Sequence, residues 1–283
     1  MSDKKDMTYD ELIQGYRDKG YELERYGQVK EIVRDQPRYY PLYKIIINPD
    51  YEKTLLITTG FHGEEFNGPI SILNIFDEAV DFAKERRARY ILYPCINPSG
   101  FDLHKRYNAS DEEQNNDFMR YELEDGKLVG ILQPGEKFIT YKPIKSPAKE
   151  VRYLQRDLDK MEVDPHAVLD VHQQQGCLEN GDFYAYYYDN RADCLEIMEE
   201  IGTFAKVARK GSAWNFDDNG RLIKCQIDDD GLVLLHDGSI TDWFYRRGRK
   251  NSICAETNTD LPVDKVGMVN LAWIKGLTKL ITK

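Results

Sequence analysis

The sequence predicts an α/β protein, a three-layer α/β/α arrangement around a mixed, largely parallel central sheet. Three observations predict it. From residue 54 onward, short apolar runs alternate with amphipathic stretches, the order of elements that builds a sheet flanked by helices. The run at 89–97 is apolar without alternation, as strands covered on both faces are, and 167–172 is a further buried strand. No internal repeat, low-complexity segment or linker divides the chain, so residues 1–283 are expected to form one domain.

Taken in order, residues 8–20 carry Tyr9, Leu12, Ile13 and Tyr16 at helical spacing, with Thr8 or Asp10 as cap and Gly20 as stop. Residues 21–33 and 39–49 read as strands, and Asn48-Pro49-Asp50 as a turn. A strand over 54–60 breaks at Gly60 and leads to a helix over 67–86, with Ile70, Leu73, Ile75, Phe76, Ala79, Val80 and Ala83 on its inner side. The strand at 89–97 is ended by Asn97-Pro98-Ser99-Gly100. Residues 100–146 show little periodicity, and a long irregular stretch inside a compact domain is usually functional or disordered. A helix over 147–161, strands over 167–172 and 182–188, a helix over 191–209, a strand over 252–257 and a closing helix over 264–282 complete the chain.

Composition excludes several classes. With 283 residues, 41% of them hydrophobic, the chain can bury a sizeable core without disulfides. Asp plus Glu is 49 against 39 for Lys plus Arg, a net charge of −10 that opposes binding to a phosphate backbone, so no nucleic-acid partner is expected. Five dispersed cysteines with no CxxC pair suit reduced, buried thiols in a cytoplasmic protein. The charged N-terminus lacks the apolar segment of a signal peptide. No stretch approaches the roughly 20 apolar residues of a membrane span, so no membrane partner is expected.

The chemistry concentrates where strands end. His62 and Glu65 follow Gly60, three residues apart, and in a first helical turn they would share a face. An imidazole and a carboxylate are both zinc ligands, and a catalytic zinc takes three protein ligands and keeps an open position. The same spacing also suits a half-buried histidine beside solvated carboxylates at a helix N-terminus. His172 ends a buried strand and would meet the pair at the carboxyl edge of the sheet, where open α/β sheets place their sites. Asp170, two residues earlier on the same strand face, is a candidate to orient a ligand histidine. Glu256, where the 252–257 strand emerges, is a candidate general base.

These residues carry a resemblance. The order His62-Gly63-Glu64-Glu65, Asn97-Pro98-Ser99-Gly100 with Arg106, Asn115-Asn116-Asp117-Phe118, Leu169-Asp170-Val171-His172 and Ala255-Glu256-Thr257 resembles the M14 family of zinc metallocarboxypeptidases. Gly238-Ser239-Ile240-Thr241-Asp242-Trp243 resembles that family's specificity-pocket segment. The resemblance implies hydrolysis of a peptide or peptide-like amide with one zinc ion per chain, held by His62, Glu65 and His172. It implies Glu256 as general base and Arg106 as the oxyanion partner, with Lys105 as the alternative. Asn115, Asn116, Thr241 and His236 would contact substrate.

The departures from that family are as informative. Where it carries an Asn-Arg pair, this chain has Asn115-Asn116, so the guanidinium that clamps a terminal carboxylate is missing at that place. No tyrosine lies between 230 and 241, and His236 is the nearest polar aromatic. Thr241 argues against a large apolar side chain at the pocket floor. Arg246, Arg247 or Arg249 would be substitute anchors. Glu64 fills a slot where that family often has arginine, which predicts a more acidic mouth and a preference for neutral or basic groups. The main alternative is an N-acyl amino acid amidohydrolase similar to the aspartoacylase and succinylglutamate desuccinylase branch, whose members usually add a C-terminal β-domain. A non-catalytic zinc-binding protein is the third option, and an intact Glu256 argues against it.

Overall fold

The structure, a computed structural model, describes residues 7–133, 135–174, 181–216 and 222–283; Gln175, Gly176 and Cys177 lie outside the described residues. Helix α1 (Tyr9–Asp18) starts at Thr8, whose hydroxyl accepts the Glu11 N–H while the Glu11 carboxylate accepts the Thr8 N–H. That reciprocal cap satisfies two of the amides a helix start leaves free. Strands β1 (Glu24–Val33) and β2 (Gln36–Ile47) form a hairpin. Its turn is Arg34-Asp35, both at positive φ (50° and 63°) as a two-residue hairpin turn requires. The Asn48-Pro49-Asp50 turn instead leads from β2 toward β3 (Thr54–Thr59).

Helix α2 (Asn67–Arg86) follows, then β4 (Arg89–Tyr93) and the short α3 (Pro98–Leu103). The expectation of an irregular 100–146 is corrected: β5 (Met119–Leu123), β6 (Leu128–Val129) and β7 (Phe138–Pro143) form a three-stranded antiparallel sheet in the order β6-β5-β7. Next come α4 (Lys149–Leu158), β8 (Ala167–Gln174), β9 (Phe183–Tyr187) and α5 (Arg191–Gly202). The last helix is shorter than its spacing predicts. Beyond Gly202 the chain turns so that Val207 bridges Phe183 and Ala205 and Ala208 are buried outside any helix. The hairpin β10 (Ser212–Phe216) and β11 (Leu222–Gln226), β12 (Leu232–Leu234), α6 (Ile240–Arg246), β13 (Ser252–Asn258) and α7 (Val263–Ile281) complete the order.

The main sheet runs β1-β2-β4-β3-β8-β13-β9-β12. Its centre, β4-β3-β8-β13, is parallel, and β2 and β9 join antiparallel at either side. All six residues of β3 are buried, which explains a run apolar on both faces. Leu55 and Ile57 pack with Ile70, Phe76 and Trp273 of the α1, α2, α5 and α7 layer. Leu56, Ile91 and Val168 pack on the opposite face with Val151, Leu154 and Phe244 of the α4 and α6 layer. Each such side chain taken from water contributes about 1.5–3 kcal/mol, so two facing cores fix the sheet between its helices. Register then sets the site. Thr59 lies opposite Val171, and Glu256 lies opposite His172, so β3, β8 and β13 end side by side.

Candidate active site at the carboxyl edge of the sheet

Past β3, Gly60 adopts φ +71°, a left-handed turn closed in by Cys95 and Pro69. His62 and Glu65 are not in the first turn of α2 as their spacing suggested. They occupy a turn before it, closed by the Glu65 N–H donating to the His62 carbonyl at 3.2 Å. This turn lies against the next motif. A Cβ on Gly63 would fall 1.9 Å from the Gly100 carbonyl carbon, so only glycine permits the contact. Asn97 ties the segments: its Oδ1 accepts the Gly100 N–H at 2.9 Å, and its Nδ2 donates to the carbonyls of Phe61 and Arg106 and to Gln114 Oε1.

His62, Glu65 and His172 converge. His62 Nδ1 lies 2.6 Å from Glu65 Oε1, and His172 Nδ1 lies 2.9 Å from Glu65 Oε2. All three side chains are buried, and their ligand atoms lie within 4.8 Å of one another. A carboxylate lies behind each imidazole, hydrogen-bonded in one case and only close in the other: His172 Nε2 bonds to Asp170 Oδ2 at 3.0 Å, whereas Glu113 Oε1 approaches His62 Nε2 at 3.4 Å without hydrogen-bond geometry. Asp170 is itself fixed by the Thr58 hydroxyl at 2.7 Å. An outer carboxylate of this kind fixes the ring and its tautomer, leaving the inner nitrogen free for a cation.

Electrostatics agree with an anionic hole that fits a cation. Burial alone would lower both histidine pKa values, yet the carboxylates of Glu65 and, for His172, Asp170 raise them. Burial would raise Glu65, yet the two imidazoles hold it well below the usual carboxylate range. Glu113 is lowered to about 2 despite its burial, through His62 and the Arg106 charge. The donor set, two imidazoles and one carboxylate, is that of a catalytic divalent-metal site with an open position.

Glu256 emerges from β13 beside His172. Burial raises its pKa, and its buried Oε2 has no hydrogen-bond partner in the protein. Arg106 Nη1 lies 3.5 Å from Glu64 Oε1 and 3.9 Å from Glu65 Oε1, so Glu64 is partly neutralised at the rim. His62, Glu65, Arg106, Asn115, Thr241 and Glu256 line one cleft.

Other expected contacts fall elsewhere. Lys105 is exposed and does not line the cleft. The Asn116 amide is turned away to donate to the Asp237 carbonyl at 3.0 Å. His236 stacks with Tyr188 and Tyr245 and faces Asp242 at 2.9 Å, behind the lining. The three candidate anchors are engaged: Arg247 grips Asp164 through two nitrogens, Arg249 lies 3.9 Å from Asp164, and Arg246 packs on Tyr121 and Phe138. None of the three lines the cleft. Conversely, Glu113, Tyr186, Tyr188, Asp237 and Gln173 reach the site without having been read from sequence. The alternating aromatics of 182–188 held one clue, since a period of two puts Tyr184, Tyr186 and Tyr188 on one face.

Fold and site together define a hydrolase of the carboxypeptidase/aspartoacylase superfamily, with a candidate metal centre at the sheet edge. Residues 51–219 match the succinylglutamate desuccinylase/aspartoacylase catalytic domain, and the chain belongs to that family. The matched segment contains His62, Glu65 and His172 but stops short of Glu256. No curated protein matches the chain. Similar solved structures include a protein of Shewanella baltica OS155 assigned to the metallopeptidases, at 21% identity and TM-score 0.64, covering 96% of this chain and 91% of that one. Bovine thrombin-activatable fibrinolysis inhibitor, solved with a tick carboxypeptidase inhibitor, is similar at 14% identity and TM-score 0.59 over 96% and 95%. A Pseudomonas aeruginosa metallo-carboxypeptidase is similar at 16% identity and TM-score 0.60, covering 97% of this chain and 69% of that one. At these identities the likeness is one of fold.

Proposed function

We propose that residues 1–283 form one catalytic domain that hydrolyses an amide bond with a single zinc ion held by His62, Glu65 and His172. The observation that carries this is the convergence of two imidazole Nδ1 atoms on one buried carboxylate, with the unpartnered Glu256 Oε2 on the neighbouring strand. Bound zinc supplies Lewis-acid polarisation and lowers the pKa of water. Glu256 takes the proton from the attacking water and delivers it to the amide nitrogen as the C–N bond breaks, giving an acid and an amine. A carboxylate whose proton affinity is raised by burial is suited to both transfers. Arg106 receives the developing negative charge on the carbonyl oxygen, a role in which one well-placed donor is worth about 3–4 kcal/mol.

Membership of the desuccinylase/aspartoacylase family favours an N-acyl amine or N-acyl amino acid as substrate. The second reading is an M14-type metallocarboxypeptidase, supported by the likeness to solved carboxypeptidases. Asn116 weighs against it, since it offers no guanidinium to a terminal carboxylate. A cytoplasmic location accords with Cys95, Cys194, Cys225 and Cys254, all buried free thiols, and among the described residues no helix is long and apolar enough to cross a membrane. The test is metal analysis joined to kinetics on N-acyl amino acids and C-terminal peptides. We expect one zinc per chain, and an about 10²–10⁴-fold loss of kcat in Glu256→Gln with metal retained. Equal rates for the variant and the wild type would refute the assignment.

A further inference from the structure

A second pocket, of about 360 Å³, opens at the opposite, amino edge of the sheet. That volume suits a small organic ligand. Three strand starts build it. Thr54 begins β3 and pairs in register with Arg89, the first residue of β4, while His166 precedes β8. Thr54 anchors the other two side chains. Its buried hydroxyl accepts the Arg89 Nε–H at 2.9 Å, and its main-chain N–H donates to His166 Nδ1 at 3.3 Å. Because Nδ1 accepts, the neutral ring carries its proton on Nε2, as a donor. Burial, then the charges of Lys53 and Arg249, lower the His166 pKa and favour that neutral ring. Arg89 is half-buried, and among the described residues no carboxylate pairs with its guanidinium.

The other charges around the pocket are matched by partners or lie at its rim. Lys44 is held by Asp157 at 2.9 Å and Glu24 at 3.1 Å, and Lys160 lies 3.4 Å from the same Asp157. Asp164 is gripped by Arg247 through two nitrogens. Glu52 and Glu162 are exposed. Ile46, Ile91, Tyr93 and Met161 supply an apolar wall. A guanidinium fork with its terminal nitrogens available, beside an imidazole N–H, matches the two oxygens of a carboxylate. The exposed glutamates oppose a doubly charged anion. We propose that this pocket binds an organic monocarboxylate with a short apolar body, its carboxylate on Arg89 and His166 and its body against the apolar wall. The site is separate from the hydrolytic cleft, since the length of β3 lies between them.

The test follows the backbone amide NMR signals of the isotope-labelled wild-type protein, metal in place, during titration with 3-phenylpropanoate, 3-phenylpropanamide and 2-phenylethyl phosphate. The carboxylate is expected to shift the Thr54, Arg89 and His166 amides and to bind at least about tenfold tighter than the neutral amide, as charge-assisted hydrogen bonds provide. Arg89→Gln is expected to abolish those shifts. Shifts confined to the neighbourhood of His62 and His172 overturn the proposal, because they place the carboxylate at the catalytic edge. Equal binding of carboxylate and amide overturns it, as do tighter binding of the phosphate, shifts at Thr54 that survive Arg89→Gln, and the lack of a saturable shift with any probe. If the variant fails to fold, the location of the shifts and the order of the probes in the wild type decide the matter.

Discussion

Glu113 shows how one residue organises others across a distance. It follows Arg106 by seven positions and brings its carboxylate to 3.4 Å from His62 Nε2, behind that ring as Asp170 is behind His172 but as an ion-pair contact and not a hydrogen bond. Asp170 was legible in the sequence, because a spacing of two along a strand guarantees a shared face. Glu113 was not, because it sits in an irregular segment with no period to project from. Outer-shell partners of metal-binding histidines typically govern affinity by 10- to 100-fold. Glu113→Gln should therefore weaken zinc binding by about that factor while the fold persists, as read by competition with a chromophoric chelator. Unchanged affinity would show that His62 is oriented by Glu65 and packing alone.

At the scale of elements, the site is a junction of turns. Gly63 of the His62–Glu65 turn presses on Gly100 of the Asn97–Gly100 turn, and Asn97 bonds to three segments at once. The two motifs are 35 positions apart in sequence, and only the pairing of β3 with β4 brings them together. A methyl at position 63 has backbone, not a flexible side chain, in its way. Gly63→Ala should cost about 1–3 kcal/mol in urea denaturation and lower zinc occupancy in parallel, whereas loss of stability with full occupancy would contradict the junction. The β5–β7 sheet went unread for a different reason. Its strands are short and half-exposed, so its alternation is weak, and it is secured by distant contacts such as Tyr121 donating to Asp242 and Arg246 donating to Tyr121.

At the scale of the whole molecule, the chain carries a net charge of −10 and buries several carboxylates away from the cleft, among them Glu31, Glu150 and Asp157. Glu150 is fully buried, with Glu31 and Glu112 nearby and Asn108 donating to both of its oxygens at 3.3 Å. Burial, reinforced by those two acids, raises its pKa from 4.5 to about 7. The folded protein therefore holds this proton more tightly than the unfolded chain. The resulting stability is fully present below about pH 4.5 and is lost as the pH rises through 7. By linkage the loss is about 3 kcal/mol. Denaturation curves across that window should slope downward for the wild type and flatten in Glu150→Gln, and equal slopes would exclude Glu150 as the source.

The sequence by itself determined the layered α/β class and the strand ends near which His62, Glu65, His172 and Glu256 lie. These are properties of local pattern: periodicity names the element, and an element's end names the edge. Tertiary structure decided what faces what. It placed Glu113 behind His62, brought Tyr186, Tyr188 and Asp237 into the cleft, and sent His236 and the Arg246, Arg247 and Arg249 group to other partners. Those outcomes depend on contacts between residues far apart in the chain, which register and packing fix and which no local spacing encodes.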